Sequence, residues 1–238
     1  WHTKNDERWA NDPYAETAAR LINYIVGKGF SDHSIGAIEE ENTCGIKNGQ
    51  ELTCTPIAGT DDRIGYYLNS SRNCAYRNGL FTGGIATVLA GLAGTPVQTG
   101  NKQGLLYEQL VQQMVDYLGN MQIDGGVGYG GWDYYNTEGS AGGNRAYGSL
   151  SQWAYIGLES AEVAGKPFGV IVNNHHKYRI PHHLDANQGP EGGASYTTSN
   201  VGCNCWADDN NHLTGGAIVA NRWLEIDKMD PNSNHRPF

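Results

Sequence analysis

The sequence predicts an all-α fold of about three helix-pair repeats, joined by loops rich in glycine and aromatic residues. Six segments show the apolar spacing of helices, and a similar loop precedes every second one. Helices with long polar side chains alternate with helices of small residues. We expect one domain over residues 1–238, with repeats at about 14–94, 104–165 and 167–227 and an inserted loop at about 31–60.

The predicted helices follow from apolar stripes and terminal signals. In the third, Leu106, Leu110, Met114 and Leu118 recur on one face. Proline suits the first turn of the fifth helix, whereas Pro181 should kink or end it. In chain order, the six helices cover about Tyr14–Val26, Gly79–Ala93, Leu105–Met121, Tyr147–Ala164, Pro167–Leu184 and Leu213–Ile226.

The second, fourth and sixth helices are poor in charge and rich in glycine and alanine, which favours an inner layer of closely approaching helices. Their sequences align at Thr82, Ser151 and Thr214, which are 69 and 63 residues apart. A tyrosine ends the loop before each, and it precedes these positions by 15, 16 and 18 residues. This near-constant spacing indicates a repeated unit of outer helix, loop and inner helix.

The best-preserved unit contains Gly130-Gly131-Trp132-Asp133-Tyr134, then Gln152-Trp153, and ends in Ala164-Gly165. It resembles the α/α-toroid proteins with prenyltransferase/squalene-cyclase-type repeats. The resemblance implies a partial α/α barrel, an α/α toroid-like fold. The family's D-x-D-D acid, its zinc ligand set and the GCGEQ thioester sequence have no counterpart in this chain. The resemblance therefore implies a scaffold and assigns no reaction.

Composition narrows the function classes. The net charge of -9 argues against nucleic-acid binding, which needs a surface of lysine and arginine. No apolar run approaches the ~20 residues of a membrane-spanning helix. The abundance of Asn, Gly, Tyr and Trp favours an extracellular or cell-surface protein. Because the chain begins with Trp1, we interpret it as a processed form or a piece of a longer protein.

Cysteine usage fits an oxidising compartment in part. Cys44 and Cys54 flank Asn48-Gly49, a dipeptide typical of β-hairpin turns, and we expect a disulfide between them. The remaining cysteines, Cys74, Cys203 and Cys205, are odd in number. Cys74 could bridge to either of the other two.

The glycine-aromatic loop provides the predicted ligand-binding residues Trp132, Tyr134, Tyr135 and Arg145, and Tyr147 adds a further aromatic face beside them. Aromatic faces beside one cation can stack on sugar rings or enclose a ligand. In the alternative interpretation, the rings fill the space between the loop and the inner helix. The sequence favours this second, structural role.

Other candidates for chemistry are scattered along the chain. The run around His176, Tyr178 and Arg179 could bind a metal, act on a uronate, or hold solvated or interface histidines. Asp208, Asp209 and His212 precede or begin the sixth helix, where a carboxylate either caps the helix or acts as a general acid or base. Alternating oxygen ligands, typical of calcium loops, occur at Asp185, Asn187, Glu191, Asp230 and Asn232.

The sequence thus favours an extracellular, non-catalytic structural or binding module, such as a subunit or segment of a surface assembly. The alternative is a cavity enzyme, acting as a lyase or hydrolase on a glycan or on a hydrophobic, terpenoid-like substrate. We expect self-association or other protein subunits as partners, with a glycan as a further candidate and neither nucleic acid nor a membrane span. Calcium is the one cofactor that the sequence suggests.

Overall fold

A computed structural model describes residues 14–35, 46–47, 50–51, 63–68, 74–123, 125–134, 145–189, 192–198 and 211–224. This part of the chain is mostly helical. The helices are α1 (Ala15–Gly27), α2 (Cys74–Thr87), α3 (Leu89–Leu92), α4 (Tyr107–Asn120), α5 (Gly148–Gly165), α6 (Asn174–Asn187) and α7 (Asn211–Leu224). Short 3-10 turns lie at Gly126–Gly128 and Lys166–Phe168.

The prediction of a largely helical chain is confirmed, but the chain is not all-α. Strands β1 (Phe30–Ile35) and β4 (Arg63–Leu68) pair antiparallel, and so do β2 (Ile46–Lys47) and β3 (Gln50–Glu51). The second pair agrees with the hairpin predicted around Asn48-Gly49. β1 and β4 bracket most of the expected insertion at 31–60. Tyr67, the tyrosine predicted to end the loop before the second helix, lies in β4 instead.

A distant side chain holds β1 in place. Asn101 accepts a hydrogen bond from the Phe30 amide at 2.9 Å and donates one to the Phe30 carbonyl at 2.6 Å. Phe30 is buried opposite Leu68, also buried, so the pair of strands contributes to the core. The sheet depends on a contact 71 residues away in sequence, which local helical patterning does not reveal.

Helix α6 begins at Asn174 rather than at the predicted Pro167, which lies in a 3-10 turn, and it continues through Pro181 to Asn187 instead of ending there. Proline removes one backbone hydrogen bond, and its ring crowds the carbonyl group four residues earlier. Three residues around it, Ile180, His183 and Leu184, are buried. Packing of this face compensates for the missing backbone bond, and the helix therefore extends past the proline.

The helices α2, α5 and α7 lie side by side, with α5 in the middle. A Cβ on Gly79 would overlap the Trp153 carbonyl, and one on Gly83 would lie 3.5 Å from Gly157. Later residues of α2 thus meet later residues of α5, so the two helices run in the same direction. Gln152 lies against Gly216 in α7, and Glu159 forms an ion pair with Arg222, so α7 is also parallel to α5.

The helices α4 and α6 form a second layer. Lys177 in α6 forms an ion pair with Glu162 at 2.5 Å, and His183 contacts Tyr155, so α6 runs antiparallel to α5. Helix α4 packs against β4, α2 and α5. The apolar core lies mainly between the two layers. Its largest fully buried side chains include Trp132, Tyr117, Tyr155, Leu110, Leu118, Leu150, Leu158 and Ile180.

Candidate functional site

Three partly exposed tyrosines from three chain segments meet where α5 begins. Tyr134 and Tyr147 pack edge to face with ring centroids 4.8 Å apart, and Tyr147 packs on Tyr196 at 5.7 Å. The hydroxyl groups of Tyr134 and Tyr196 lie 2.8 Å apart and share a hydrogen bond. We call Tyr134, Tyr147 and Tyr196 the tyrosine cluster. It combines apolar ring surface with hydroxyl groups able to bind a polar ligand.

Backbone hydrogen bonds join the chain segments that carry these rings. The Tyr147 amide donates to the Trp132 carbonyl at 3.0 Å, and the Gly148 amide donates to the Tyr196 carbonyl at 2.9 Å. Tyr147 also forms an isolated β-bridge with Thr197. The start of α5 therefore holds both the segment before it and the segment that leads towards α7, which builds the cluster on a rigid helix end.

The Tyr134 hydroxyl is uncharged at neutral pH. Burial raises its pKa, and the hydrogen bond with Tyr196 raises that pKa further, while the nearby Ser149 hydroxyl opposes the rise. Arg145, a predicted ligand-binding residue, is exposed two positions before Tyr147. Tyr134 thus presents a neutral hydroxyl group, and Arg145 is a cation close to Tyr147 in sequence.

Trp132 lies two residues from Tyr134 but belongs to the core. Its side chain is fully buried, and its indole N–H donates to the Leu118 carbonyl at 2.8 Å. The ring packs edge to face on Tyr155, with centroids 5.8 Å apart. The structure therefore separates the predicted ligand-binding residues: Trp132 fills the space between loop and helix, whereas Tyr134 stays partly exposed.

A buried tyrosine–histidine pair lies next to Trp132. The Tyr155 hydroxyl and His183 Nδ1 are 2.5 Å apart, and both side chains are almost fully buried. Burial lowers the pKa of His183 to about 3, so its ring is neutral at physiological pH. Burial also raises the pKa of the Tyr155 hydroxyl. The pair is a neutral hydrogen bond within the core.

Four buried side-chain polar atoms of α6 and of the segment 192–198 have no hydrogen-bond partner among the described residues. They are His183 Nε2, Asn187 Oδ1, Ser195 Oγ and Thr198 Oγ1. The Ser195 amide donates to the Asn187 carbonyl at 2.8 Å, and the Thr198 amide donates to the Ala146 carbonyl at 3.2 Å. These backbone bonds join the segment 192–198 to the end of α6 and to the segment that precedes α5.

The histidine run lies mostly in helix packing. His176 is buried, with its ring against Gly119 and its Nδ1 3.3 Å from Gln122 Oε1. Tyr178 is partly buried. The Arg179 guanidinium lies 5.5 Å from the centre of the Tyr129 ring, which also packs edge to face on His182. In the described part of the chain, His176 thus packs against α4, and Arg179 lies beside Tyr129.

The remaining candidates are only partly covered by the described residues. Asp185 is exposed and Asn187 is buried, both near the end of α6, and a separation of two places their side chains on different sides of the helix. His212 lies in α7, whose described side chains begin at Thr214. Outside the described residues lie Tyr135, Asp208, Asp209, Glu191, Asp230, Asn232, Cys44 and Cys54. Within the described part of the chain, no three His, Cys, Asp or Glu residues are grouped to hold a metal ion.

Two aromatic residues were missing from the predicted site. Tyr196 completes the tyrosine cluster beside Tyr134 and Tyr147, and Tyr76 in α2 packs on Trp153 in α5. The sequence carried a signal for Tyr196, because it stands in the loop that precedes the sixth predicted helix. Tyr76 has no such signal, since only the pairing of α2 with α5 brings it to Trp153.

No protein-family model matches the chain, and comparisons with curated proteins and with solved structures found no match either. Among the helices that the structure describes, none has both the length and the apolar character needed to cross a membrane.

Proposed function

We propose that the chain is a non-catalytic binding module, extracellular or at the cell surface, and that its tyrosine cluster binds a glycan. The observation that carries this proposal is the meeting of Tyr134, Tyr147 and Tyr196 at the start of α5. Partly exposed rings can stack on the apolar faces of sugar rings, while their hydroxyl groups pair with sugar hydroxyls.

The proposed architecture is an arc of an α/α toroid, with α2, α5 and α7 as the inner layer. The parallel packing of these three helices supports it, as does the antiparallel α6 behind α5. In such an arc, the starts of the inner helices point to one end of the concave side. The tyrosine cluster lies at that end, which makes it the natural entrance for a ligand.

Charge favours a neutral glycan over an acidic polymer. The chain carries a net charge of -9, which repels polyanions at a distance. The polar groups that the cluster itself presents are the hydroxyl groups of Tyr134 and Tyr196. Groups of this kind donate and accept hydrogen bonds without neutralising a carboxylate or sulfate. The same balance of charge disfavours nucleic acid.

Burial of His176 and His183 supports binding rather than catalysis. His176 packs on α4, and His183 is enclosed with Tyr155, so a polymer at the surface contacts neither imidazole. The alternative function, a glycan lyase or hydrolase, predicts cleavage of the bound polysaccharide. Release of reducing ends or of unsaturated products during binding would identify the chain as an enzyme.

Self-association or assembly with other subunits is the expected quaternary behaviour. Helix α5 has an inner-layer neighbour on each side, whereas in the described part of the chain α2 and α7 have one each. We propose that the free sides of α2 and α7 meet further protein in the assembled state. Native mass spectrometry tests this, and a stable monomer at micromolar concentration would contradict it.

Glycan binding is tested on an array of immobilised neutral and acidic polysaccharides, with wild type compared to Tyr134→Ala and Tyr24→Ala. Tyr24 is the matched control because it is an exposed tyrosine on α1, away from the cluster. We expect wild type and Tyr24→Ala to bind a neutral polysaccharide equally and Tyr134→Ala to bind at least ~10-fold more weakly, the effect of ~1.4 kcal/mol. Equal binding by all three proteins, or no binding by wild type, would refute the proposal.

A further inference from the structure

A second aromatic pair lies on the seam between α2 and α5. Tyr76 and Trp153 have ring centroids 5.2 Å apart at an interplanar angle of 55°. Tyr76 is 42% exposed and Trp153 is partly buried. Beside them, Gly79 lies against the Trp153 carbonyl, so the two helix backbones approach closely and the rings sit over their junction.

This pair lies along the same helix as the tyrosine cluster. Ser149, one position after the start of α5, is close to the Tyr134 hydroxyl. Trp153 follows Ser149 by four residues, so both side chains project from the same face of α5. The separation is one helical turn, about 6 Å along the axis. Trp153 and Tyr76 therefore lie about one helical turn beyond the point on α5 that is close to Tyr134.

Trp153 also offers an unused hydrogen-bond donor. Its Nε1–H is buried and has no acceptor among the described residues. A buried donor without an acceptor destabilises the protein unless a ligand or solvent pairs with it. Tyr76, whose ring packs on this indole, is substantially exposed. A ligand oxygen beside Tyr76 could then accept the indole hydrogen bond.

We propose that Tyr76 and Trp153 form a second sugar subsite and that the ligand is a chain of neutral sugars lying along α5. One end of this chain contacts the tyrosine cluster, and a later ring stacks on Tyr76 while its oxygen accepts from the Trp153 indole. This inference rests on the proposed glycan binding. It adds that the protein recognises an oligosaccharide of several rings rather than a single sugar.

The test measures dissociation constants by titration calorimetry for neutral oligosaccharides of two to six rings, from the cellulose, maltose and chitin series. The proteins are wild type, Tyr76→Ala, Tyr134→Ala and the control Tyr24→Ala. Tyr76 and Tyr24 are both exposed helix residues, and circular dichroism verifies that every variant is folded. Tryptophan fluorescence of wild type and Tyr76→Ala provides a second readout at Trp153.

We expect the affinity of wild type to rise with chain length and then level off once both subsites are filled. Tyr76→Ala should weaken binding of the longest chains about 10-fold and leave binding of the shortest unchanged, because only long chains reach it. Tyr134→Ala should weaken binding at every length. Length-independent affinity, or an unchanged six-ring affinity in Tyr76→Ala, would overturn the second subsite while preserving glycan binding. Absence of binding at every length would instead overturn the proposed function as well.

Discussion

The contact between α2 and α5 depends on Gly79, and we predict that Gly79→Ala separates the two helices. A Cβ at this position would overlap the carbonyl group of Trp153 and lie 2.8 Å from the Ala154 nitrogen. From the other side, a Cβ on Gly157 would lie 2.5 Å from the Gly79 carbonyl oxygen. Backbone atoms on both sides cannot rotate away as a side chain can, so the added methyl group forces the helices apart.

The expected loss combines two opposing effects. Overpacking against a rigid core costs about 1–3 kcal/mol, and contact with backbone places this site near ~3 kcal/mol. Alanine is a better helix former than glycine by ~1 kcal/mol, which offsets part of the loss. The net destabilisation is therefore about 2 kcal/mol, or a melting temperature lower by roughly 4–8 °C for a domain of this size.

Gly84 in the same helix provides the matched control. No atom lies within 4 Å of a Cβ added there, and the position is exposed. In Gly84→Ala only the higher helix propensity of alanine should act, which raises the free energy of unfolding by about 1 kcal/mol and the melting temperature by ~2–4 °C. Thermal unfolding followed by circular dichroism measures both variants. If Gly79→Ala proved as stable as wild type, or if both alanines shifted stability in the same direction, the close packing of α2 on α5 would be refuted.

Two further predictions concern the core. Trp132→Phe removes the indole hydrogen bond to the Leu118 carbonyl and should lower the free energy of urea unfolding by about 2 kcal/mol. The Trp153 indole has no acceptor among the described residues, so Trp153→Phe should lower it by less than ~1 kcal/mol. Equal losses in the two variants would contradict the hydrogen bond assigned to Trp132. The folded-state pKa of His183 is about 3, below the ordinary value of 6.5. The stability that the neutral, buried ring contributes is therefore complete above pH 6.5 and is lost as the pH falls towards 3. His183→Gln keeps an acceptor for Tyr155 but cannot titrate, and it should remove ~1.4 kcal/mol per pH unit from the slope of stability between pH 6 and 4; a slope like that of wild type would show that His183 is not buried as a neutral ring.

Local patterns predicted the helices well where apolar periodicity was long. The predicted span Tyr14–Val26 differs from α1 by one residue at each end, and the span Tyr147–Ala164 differs from α5 by the same amount. Both helices carry their signal within the segment itself. The strands β1 and β4 were missed because their pairing and the Asn101 contact join residues far apart in sequence.

In the candidate site, too, some features follow from the local sequence and others only from tertiary packing. Trp132 and Tyr134 stand two positions apart in one motif, yet the first is fully buried and the second partly exposed. The difference comes from the Leu118 carbonyl and the Tyr155 ring, which receive the indole. Likewise, the run of histidines looked alike in sequence, and only packing decided that His183 is enclosed while His182 is exposed.

The sequence by itself determined the alternation of polar helices with helices of small residues, and it placed tyrosines before the small-residue helices. Such features depend on backbone preference and on spacing within a few turns of chain. The tertiary structure alone decided that α5 lies between α2 and α7 and which rings meet at its start. It also decided that burial makes His183 neutral. Burial, ring packing and pKa depend on atoms contributed by distant segments, so they exist only once the helices have packed.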